Sequence, residues 1–209
     1  MNSRKHNALT SLLLTIIIGA GLAACSSPAK LPRLANDAVI VAFGDSLTFG
    51  TGAEPMQSYP AVLEQMIGWR VVNAGVPGEV TGEGLSRLSE ILERDKPALL
   101  LLCHGGNDHL RRLNQQQSAN NIREMIRLAR DRGVAVLLIA VPAPGLSLSP
   151  SPMYREIAKE LSMPLEEKIL SEVLADASLK SDLIHPNAAG YHRMAESVAA
   201  LLKKSGAID

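Results

Sequence analysis

Aromatic residues are scarce in this chain: two Phe, three Tyr and one Trp among 209 residues. An excess of one charge is missing too, since 21 Lys and Arg face 21 Asp and Glu. Without a basic run, and without aromatics interleaved among cations, no nucleic-acid partner is expected. Cysteine is nearly absent. Only Cys25 and Cys103 occur, so no disulfide framework can staple the fold. The uncharged stretch Ala8 to Gly21, 14 residues long, falls short of the ~20 that span a bilayer comfortably.

That stretch reads instead as part of a secretory signal. Arg4 and Lys5 form a basic n-region, Ala8 to Gly21 an apolar h-region, and Leu22-Ala23-Ala24 the small residues before a cleavage point. With Cys25 next, the pattern resembles the bacterial lipobox, whose cysteine is lipidated and becomes the first mature residue. The resemblance implies several acyl chains on Cys25. Each buried methylene contributes about 0.8 kcal/mol, so two or more chains anchor stably where one does not. Ser26, with no aspartate at that position, resembles lipoproteins sorted to the outer membrane. Residues 1–24 are therefore expected to be signal peptide and 25–36 the lipidated cysteine and tether. Residues 37–209 form one domain, held at the bacterial cell envelope.

From Cys25 onward 185 residues remain (209 − 24), enough for one α/β domain with a full core. Losing Arg4 and Lys5 leaves 19 basic against 21 acidic residues, a net charge of −2. Cys103 ends an apolar run and reads as a small core residue.

Strand-like and helix-like segments alternate along this domain. Ala38–Phe43, Val71–Val72, Ala98–Cys103 and Val134–Val141 are apolar on both faces, which implies a parallel sheet covered by helices on each side. Between them, Leu85, Leu88, Ile91 and Leu92 share one helical face. Ile122, Met125, Ile126 and Ala129 form another stripe, with Ser118 as its expected N-cap and Gly133 as its end. After His185, the positions Tyr191, Met194, Ala195, Val198, Leu201 and Leu202 carry a helix to the C-terminus. The Pro142–Pro152 segment is a candidate substrate-lining loop. A plain surface connection fits it equally well.

The chemistry sits at the strand ends. The first strand runs into Gly44-Asp45-Ser46-Leu47, the second into Asn73-Ala74-Gly75-Val76-Pro77-Gly78-Glu79, and the third into His104-Gly105-Gly106-Asn107-Asp108. A parallel sheet brings all three loops to one edge, where α/β folds place their ligands. With strand order 2-1-3-4-5, Ser46 and Asn107 flank the switch-point crevice. Asp182-Leu183-Ile184-His185-Pro186 follows much later in the chain. Serine, histidine and aspartate are the parts that turn a weak hydroxyl into a nucleophile. An imidazole, with an ordinary pKa of about 6.5, suits the base role near neutrality. Asp182, three residues before His185, can meet the ring from the same loop and fix its tautomer. Asp45 and Asp108 read as loop-ordering acceptors. His104 and His109 could suggest a metal with Asp108, but their spacing matches no ligand set and the serine route needs no metal. No metal or cofactor is expected. His192 falls on the last helix, facing solvent. No Gly-x-Ser-x-Gly occurs, which argues against a nucleophile elbow.

These four ordered blocks resemble the SGNH (GDSL) hydrolase superfamily, and within it the bacterial thioesterase I, lysophospholipase and arylesterase group. The resemblance spans Gly44 to Asn187. It implies a three-layer α/β/α, flavodoxin-like domain with about five parallel strands. It also implies a catalytic set of Ser46, Asp182 and His185, with an oxyanion hole from the Ser46 and Gly78 backbone N–H groups and the Asn107 side-chain amide. Gly75 is read as a turn glycine. The expected reaction is hydrolysis of acyl esters, thioesters or lysophospholipids through an acyl-Ser46 intermediate, with Leu110 and Leu146 as acyl contacts. Two alternatives stand beside it: an O-acetylesterase of cell-wall or surface carbohydrate, and a non-catalytic envelope lipoprotein. Ser181, where the group often has a second acid, should affect the rim more than the chemistry.

Overall fold

The structure is a computed structural model that describes residues 29–143 and 148–209. Cys25, the signal segment and Leu146 lie outside the described residues. Five parallel strands form the sheet: β1 (Val39–Gly44), β2 (Arg70–Gly75), β3 (Leu99–Cys103), β4 (Ala135–Ile139) and β5 (Leu165–Glu166). Their order is β2-β1-β3-β4-β5, that of the flavodoxin-like fold which the family resemblance implies. Every residue of β3 is buried, as are Ile40 to Gly44 of β1. Such strands need cover on both faces.

The cover comes from α1 (Ser46–Phe49), α2 (Tyr59–Ile67), α3 (Thr81–Asp95), α4 (Gly106–Leu110), α5 (Gln115–Arg130), α6 (Pro152–Glu160), α7 (Ile169–Ala175) and α8 (Ala188–Ser205). Helix α2 packs on α8, and α3 packs on α5. The connection β1-α2-β2 moves one way along the sheet and β2-α3-β3 the other. Right-handed crossovers therefore put α2 and α3 on opposite faces. The apolar stripes fill the core: Leu88 and Ile91 from α3, Met125 and Ile126 from α5, Tyr191 and Val198 from α8 are all buried.

Register fixes the active edge. Gly44 is level with Gly75 on one side and with Cys103 on the other. Three strands therefore end on one line, and their loops start side by side. The glycines at this line are required by space. A Cβ on Gly44 would lie 2.0 Å from the Cys103 carbonyl oxygen, and one on Gly75 would lie 2.1 Å from the Phe49 backbone nitrogen. Gly75 is thus a close-approach glycine at the end of β2, and the turn reading is corrected.

Other local expectations shift for physical reasons. Helix α5 starts one turn earlier than Ser118. Asn114 caps it, its side chain accepting from Gln117 N at 3.0 Å, because Gln115 to Gln117 are good helix formers. The Ser118 hydroxyl turns inward to Asp108 Oδ1 at 2.8 Å. Strand β4 stops at Ile139, and Val141 leaves the sheet into the loop. Strand β5 has only two residues, too few to show a period. Leu31 N and Leu34 N donate to Ser205 O and Ala207 O at 3.0 and 2.9 Å, and Leu34 is buried. The chain therefore joins the domain beyond the C-terminal end of α8.

Candidate active site

Ser46 opens the short helix α1, directly after β1. Asp45 is the N-cap, and its Oδ1 accepts from Leu47 N at 3.0 Å. Helix geometry leaves the first N–H groups without intrahelical acceptors, and the Ser46 N–H is one of them at the strand end. Burial pushes the Asp45 carboxyl above the ordinary carboxylate range, while the Leu47 N–H and nearby His104 and His185 work against that rise. Asp45 thus acts as an ordering acceptor, as expected.

The loop before α8 brings the base. His185 Nε2 is 3.0 Å from Ser46 Oγ, and His185 Nδ1 is 2.7 Å from Asp182 Oδ2. Oδ1 of the same carboxylate accepts the Ile184 and His185 backbone N–H groups, each at 2.8 Å. One aspartate thus folds its own turn and receives the ring. A carboxylate facing Nδ1 keeps the hydrogen there, leaving Nε2 as an acceptor aimed at the serine hydroxyl. Burial raises the Asp182 carboxyl, but the His185 ring and both backbone N–H groups outweigh it and hold it below its usual value. The turn is tied down from behind. The Ser181 N–H and hydroxyl donate to His185 O at 3.0 and 3.3 Å. Gly52 backs against Ser181 so closely that a Cβ would lie 2.1 Å from its Oγ.

The other two blocks are joined through one amide. Asn107, in α4, donates from Nδ2 to Glu79 O at 3.0 Å and to Asp45 Oδ2 at 3.3 Å. The first, second and third strand-end loops are therefore linked through this one side chain. Gly78 has φ +79° and its carbonyl accepts from Arg111 at 2.6 Å. A Cβ there would meet only Arg111, at 3.7 Å, so positive φ, rather than crowding by the protein, favours glycine. Asp108 accepts from Thr81 N, Thr81 Oγ1 and Ser118 Oγ at 2.9, 2.6 and 2.8 Å, which locks α4 to α3 and α5.

The remaining histidines take other places. His104 is fully buried, with Nε2 3.0 Å from Glu79 Oε2 and Nδ1 accepting from Gly105 N at 3.1 Å. Burial lowers the pKa of His109, and His192 is exposed on α8. His104 and Asp108 are engaged in these hydrogen bonds. Among the described residues no group of three His, Cys, Asp or Glu is placed to hold a metal ion. Cys103 is a buried free thiol in the core.

A crevice open to solvent runs from Ser46 and His185 between the loops. Its walls include Leu47, Leu110, Val141, Leu148, Leu174 and Ile184. The expected acyl contact Leu110 is among them, and Pro142 and Leu148 bring in the Pro142–Pro152 loop. Leu183, also on the wall, is 85 % exposed, so the apolar surface continues out of the mouth. Gly78 does not line this crevice and is connected to it through Glu79 and Asn107. Sequence reasoning missed Glu79 and Arg87. Arg87 Nε and Nη2 grip the Glu79 carboxylate at 2.6 and 2.8 Å. A signal existed, since Arg87 lies three residues after buried Gly84 and four before buried Ile91, on the core side of an amphipathic helix.

Comparison with known proteins agrees with this arrangement. The model of the GDSL-like Lipase/Acylhydrolase family matches residues 42–193. The chain is 30% identical over 194 residues to "Esterase TesA" of Pseudomonas aeruginosa, covering 87% of this chain and 96% of the relative. It is 30% identical over 165 residues to "Thioesterase 1/protease 1/lysophospholipase L1" of Escherichia coli K12, covering 74% and 78%. The crystal structure of TesA superposes with a TM-score of 0.73 at 31% identity, over 79% of this chain and 98% of that one. The SGNH-hydrolase esterase AlinE4 superposes with a TM-score of 0.63 at 30% identity, over 83% and 98%. With its sheet order, strand-end loops and family match in agreement, this chain belongs to the GDSL-like lipase/acylhydrolase family.

Proposed function

We propose that this protein is a serine hydrolase of acyl esters or thioesters, acting through an acyl-Ser46 intermediate. The observation that carries the reading is the relay Asp182–His185–Ser46, at 2.7 and 3.0 Å, opening on an apolar crevice. Ser46 Oγ attacks the acyl carbon as its proton passes to His185 Nε2, and Asp182 stabilises the imidazolium that forms. The carbonyl oxygen becomes an oxyanion facing the Ser46 N–H and Asn107 Nδ2, both at the crevice, with the Gly78 N–H as the third donor that the family resemblance implies. Asn107 has two amide protons. One stays with Glu79 O, and the longer contact to Asp45 yields to the oxyanion. Collapse breaks the bond to the leaving group, which departs as alcohol or thiol with the proton from His185. A water then repeats the sequence, giving up its proton to His185, and the carboxylic acid leaves with Ser46 restored.

The lining of the crevice supports a substrate class. Leucine side chains at Leu47, Leu110, Leu148 and Leu174 favour an acyl chain over an acetyl group. Each methylene moved from water to such a wall contributes about 0.8 kcal/mol. That lining supports single-chain acyl esters and lysophospholipids as substrates. For location, Leu22-Ala23-Ala24-Cys25 supports lipidation of Cys25 and residence at the bacterial envelope, the outer membrane by Ser26. The described chain meets the domain through Leu31 and Leu34, at the end of α8 remote from His185. That helix of 18 residues is about 27 Å long at 1.5 Å per residue, a separation that supports an anchor upstream of Leu31 clear of the crevice.

Fluorophosphonate labelling tests the reaction: wild type should label and Ser46→Ala should not, and equal labelling of both would end the reading. A series of p-nitrophenyl esters tests the substrate. Preference for six or more carbons is expected, whereas acetate-only activity would support a carbohydrate O-acetylesterase. Cys25→Ala should no longer fractionate with membranes.

A further inference from the structure

Beneath the strand ends lies a charged cluster that the reaction itself does not use. Glu79 and His104 are buried, with side chains 6 % and 0 % exposed, and Arg87 is 22 % exposed. Resting on the hydrolase reading above, we propose that Glu79, clamped by Arg87 and His104, positions the two oxyanion donors contributed from outside the nucleophile turn, Gly78 and Asn107.

Glycine at φ +79° tolerates many backbone directions. Contacts outside the Gly78 φ/ψ preference must therefore aim its N–H: Arg111 holds its carbonyl at 2.6 Å from the solvent side, and Glu79 holds the turn from the buried side. Glu79 N donates to Val76 O at 3.2 Å. Its carboxylate is held at three points: Arg87 Nε on Oε1 at 2.6 Å, and Arg87 Nη2 and His104 Nε2 on Oε2 at 2.8 and 3.0 Å. The same Nη2 also reaches Ala74 O at 2.8 Å and Gly44 O at 3.3 Å. The clamp thus refers Glu79 to the ends of β1 and β2.

The second donor is set by the same residue. Glu79 O takes one proton of Asn107 Nδ2 at 3.0 Å, which leaves the other proton for a substrate. His104 adds a link from the far side. Its Nδ1 accepts from Gly105 N at 3.1 Å, so the ring hydrogen is on Nε2 and donates to Glu79. Gly105 is the N-cap of α4, two residues before Asn107. One buried carboxylate therefore touches the structures that aim both donors. Burying a charge is costly unless it is fully partnered, and here every carboxylate oxygen is. Space has been left for it: a Cβ on Gly84 of α3 would stand 2.4 Å from His104 Nε2 and 3.2 Å from Glu79 Oε2.

Glu79, Arg87 and His104 are positioning residues, and kinetics can separate that role from a structural one. Deleting one oxyanion donor typically costs about 10²–10³ in rate. Displacing donors that remain present should cost about 10–100. The test uses Glu79→Gln and, should that variant not fold, Gly84→Ala, which presses on the cluster from behind without touching the crevice. Measured are kcat, KM and the Ki of an acyl trifluoromethyl ketone, whose adduct on Ser46 carries the same oxyanion. The expected result is a fall in kcat matched by an equal rise in Ki, with KM within threefold. Unchanged kcat and Ki alongside a lower Tm would overturn the inference. So would an effect confined to KM. A wild type no more active than Ser46→Ala would instead overturn the hydrolase reading and the inference with it.

Discussion

Asp182→Asn isolates the chemical role of one oxygen from the structural role of the other. Oδ1 of Asp182 accepts the Ile184 and His185 N–H groups, both at 2.8 Å. The asparagine oxygen can keep both bonds, which places its NH₂ group against His185 Nδ1 at the present 2.7 Å contact. The flipped amide would save one bond and set its donors against two backbone N–H groups, so it is disfavoured. A donor facing Nδ1 makes that nitrogen an acceptor and moves the ring hydrogen to Nε2. Nε2 then points a proton at Ser46 Oγ, 3.0 Å away, and cannot take one. The same change in serine hydrolase triads costs about 10⁴ in kcat. Asp182 is 52 % exposed, so water offers some relief, and the expected loss is about 10³–10⁴. That equals about 4–5.4 kcal/mol of transition-state stabilisation at 1.36 kcal/mol per decade. Because the turn survives, Tm should move by no more than about 3 °C, the effect of roughly 1 kcal/mol in a chain of this size. The assay is p-nitrophenyl butyrate hydrolysis with thermal melts on the same preparation. A kcat within tenfold of wild type would refute the tautomer argument. Asp182→Ala, which orphans both N–H groups, should lose comparable activity and melt lower.

Three further outcomes follow from the geometry. Gly44→Ala drives a Cβ into the Cys103 carbonyl, a backbone group that cannot move aside, and overpacking of this kind costs about 1–3 kcal/mol or more. Thermal melts should show a fall of at least about 3 °C, and an unchanged Tm would contradict the register at the strand ends. Leu110→Ser removes an apolar wall of the crevice, and should lower the hexanoate-to-acetate ratio of kcat/KM by about three- to tenfold, on the scale of ~0.8 kcal/mol per methylene. Acid should destabilise the fold through Glu79 and Asp182. Burial raises each carboxyl, but His104 and Arg87 for Glu79, and His185 with two N–H groups for Asp182, bring both below their ordinary values. Stability from such groups is complete above about pH 4.3 and is lost as pH falls through the folded values. Asp45, raised by burial, works the opposite way and offsets part of the loss. Melts between pH 3 and 6 should show a lower Tm below pH 4, less steeply in Glu79→Gln.

The sequence was most legible where local pattern and global fold coincide. Strands buried on both faces have no polar alternation to confuse them, so β1, β3 and β4 could be read to within two residues. The stripe of α8 is equally plain, with Asn187 as its N-cap accepting from Gly190 N at 3.1 Å. Strand β5 was not legible. With two residues, its place is fixed by pairing to Leu138 and Ile139, a contact between segments far apart in the chain. Ser118 misled because serine has two uses near a helix start. Only the position of Asp108 shows that its hydroxyl turns inward.

What the sequence by itself determined was the set of parts: four ordered blocks, an α/β alternation, and a histidine three residues after an aspartate. Those depend on residue type and short spacing, which a linear string contains. The tertiary structure alone decided how the parts meet. Level strand ends at Gly44, Gly75 and Cys103 set three loops side by side. The Asp182 turn carries His185 to within 3.0 Å of a serine 139 residues away. The clamp on Glu79, too, exists only because α3 crosses back over the ends of β1 and β2 with Arg87 facing inward. A buried charge takes its meaning from partners that packing supplies, and sequence spacing holds no record of them.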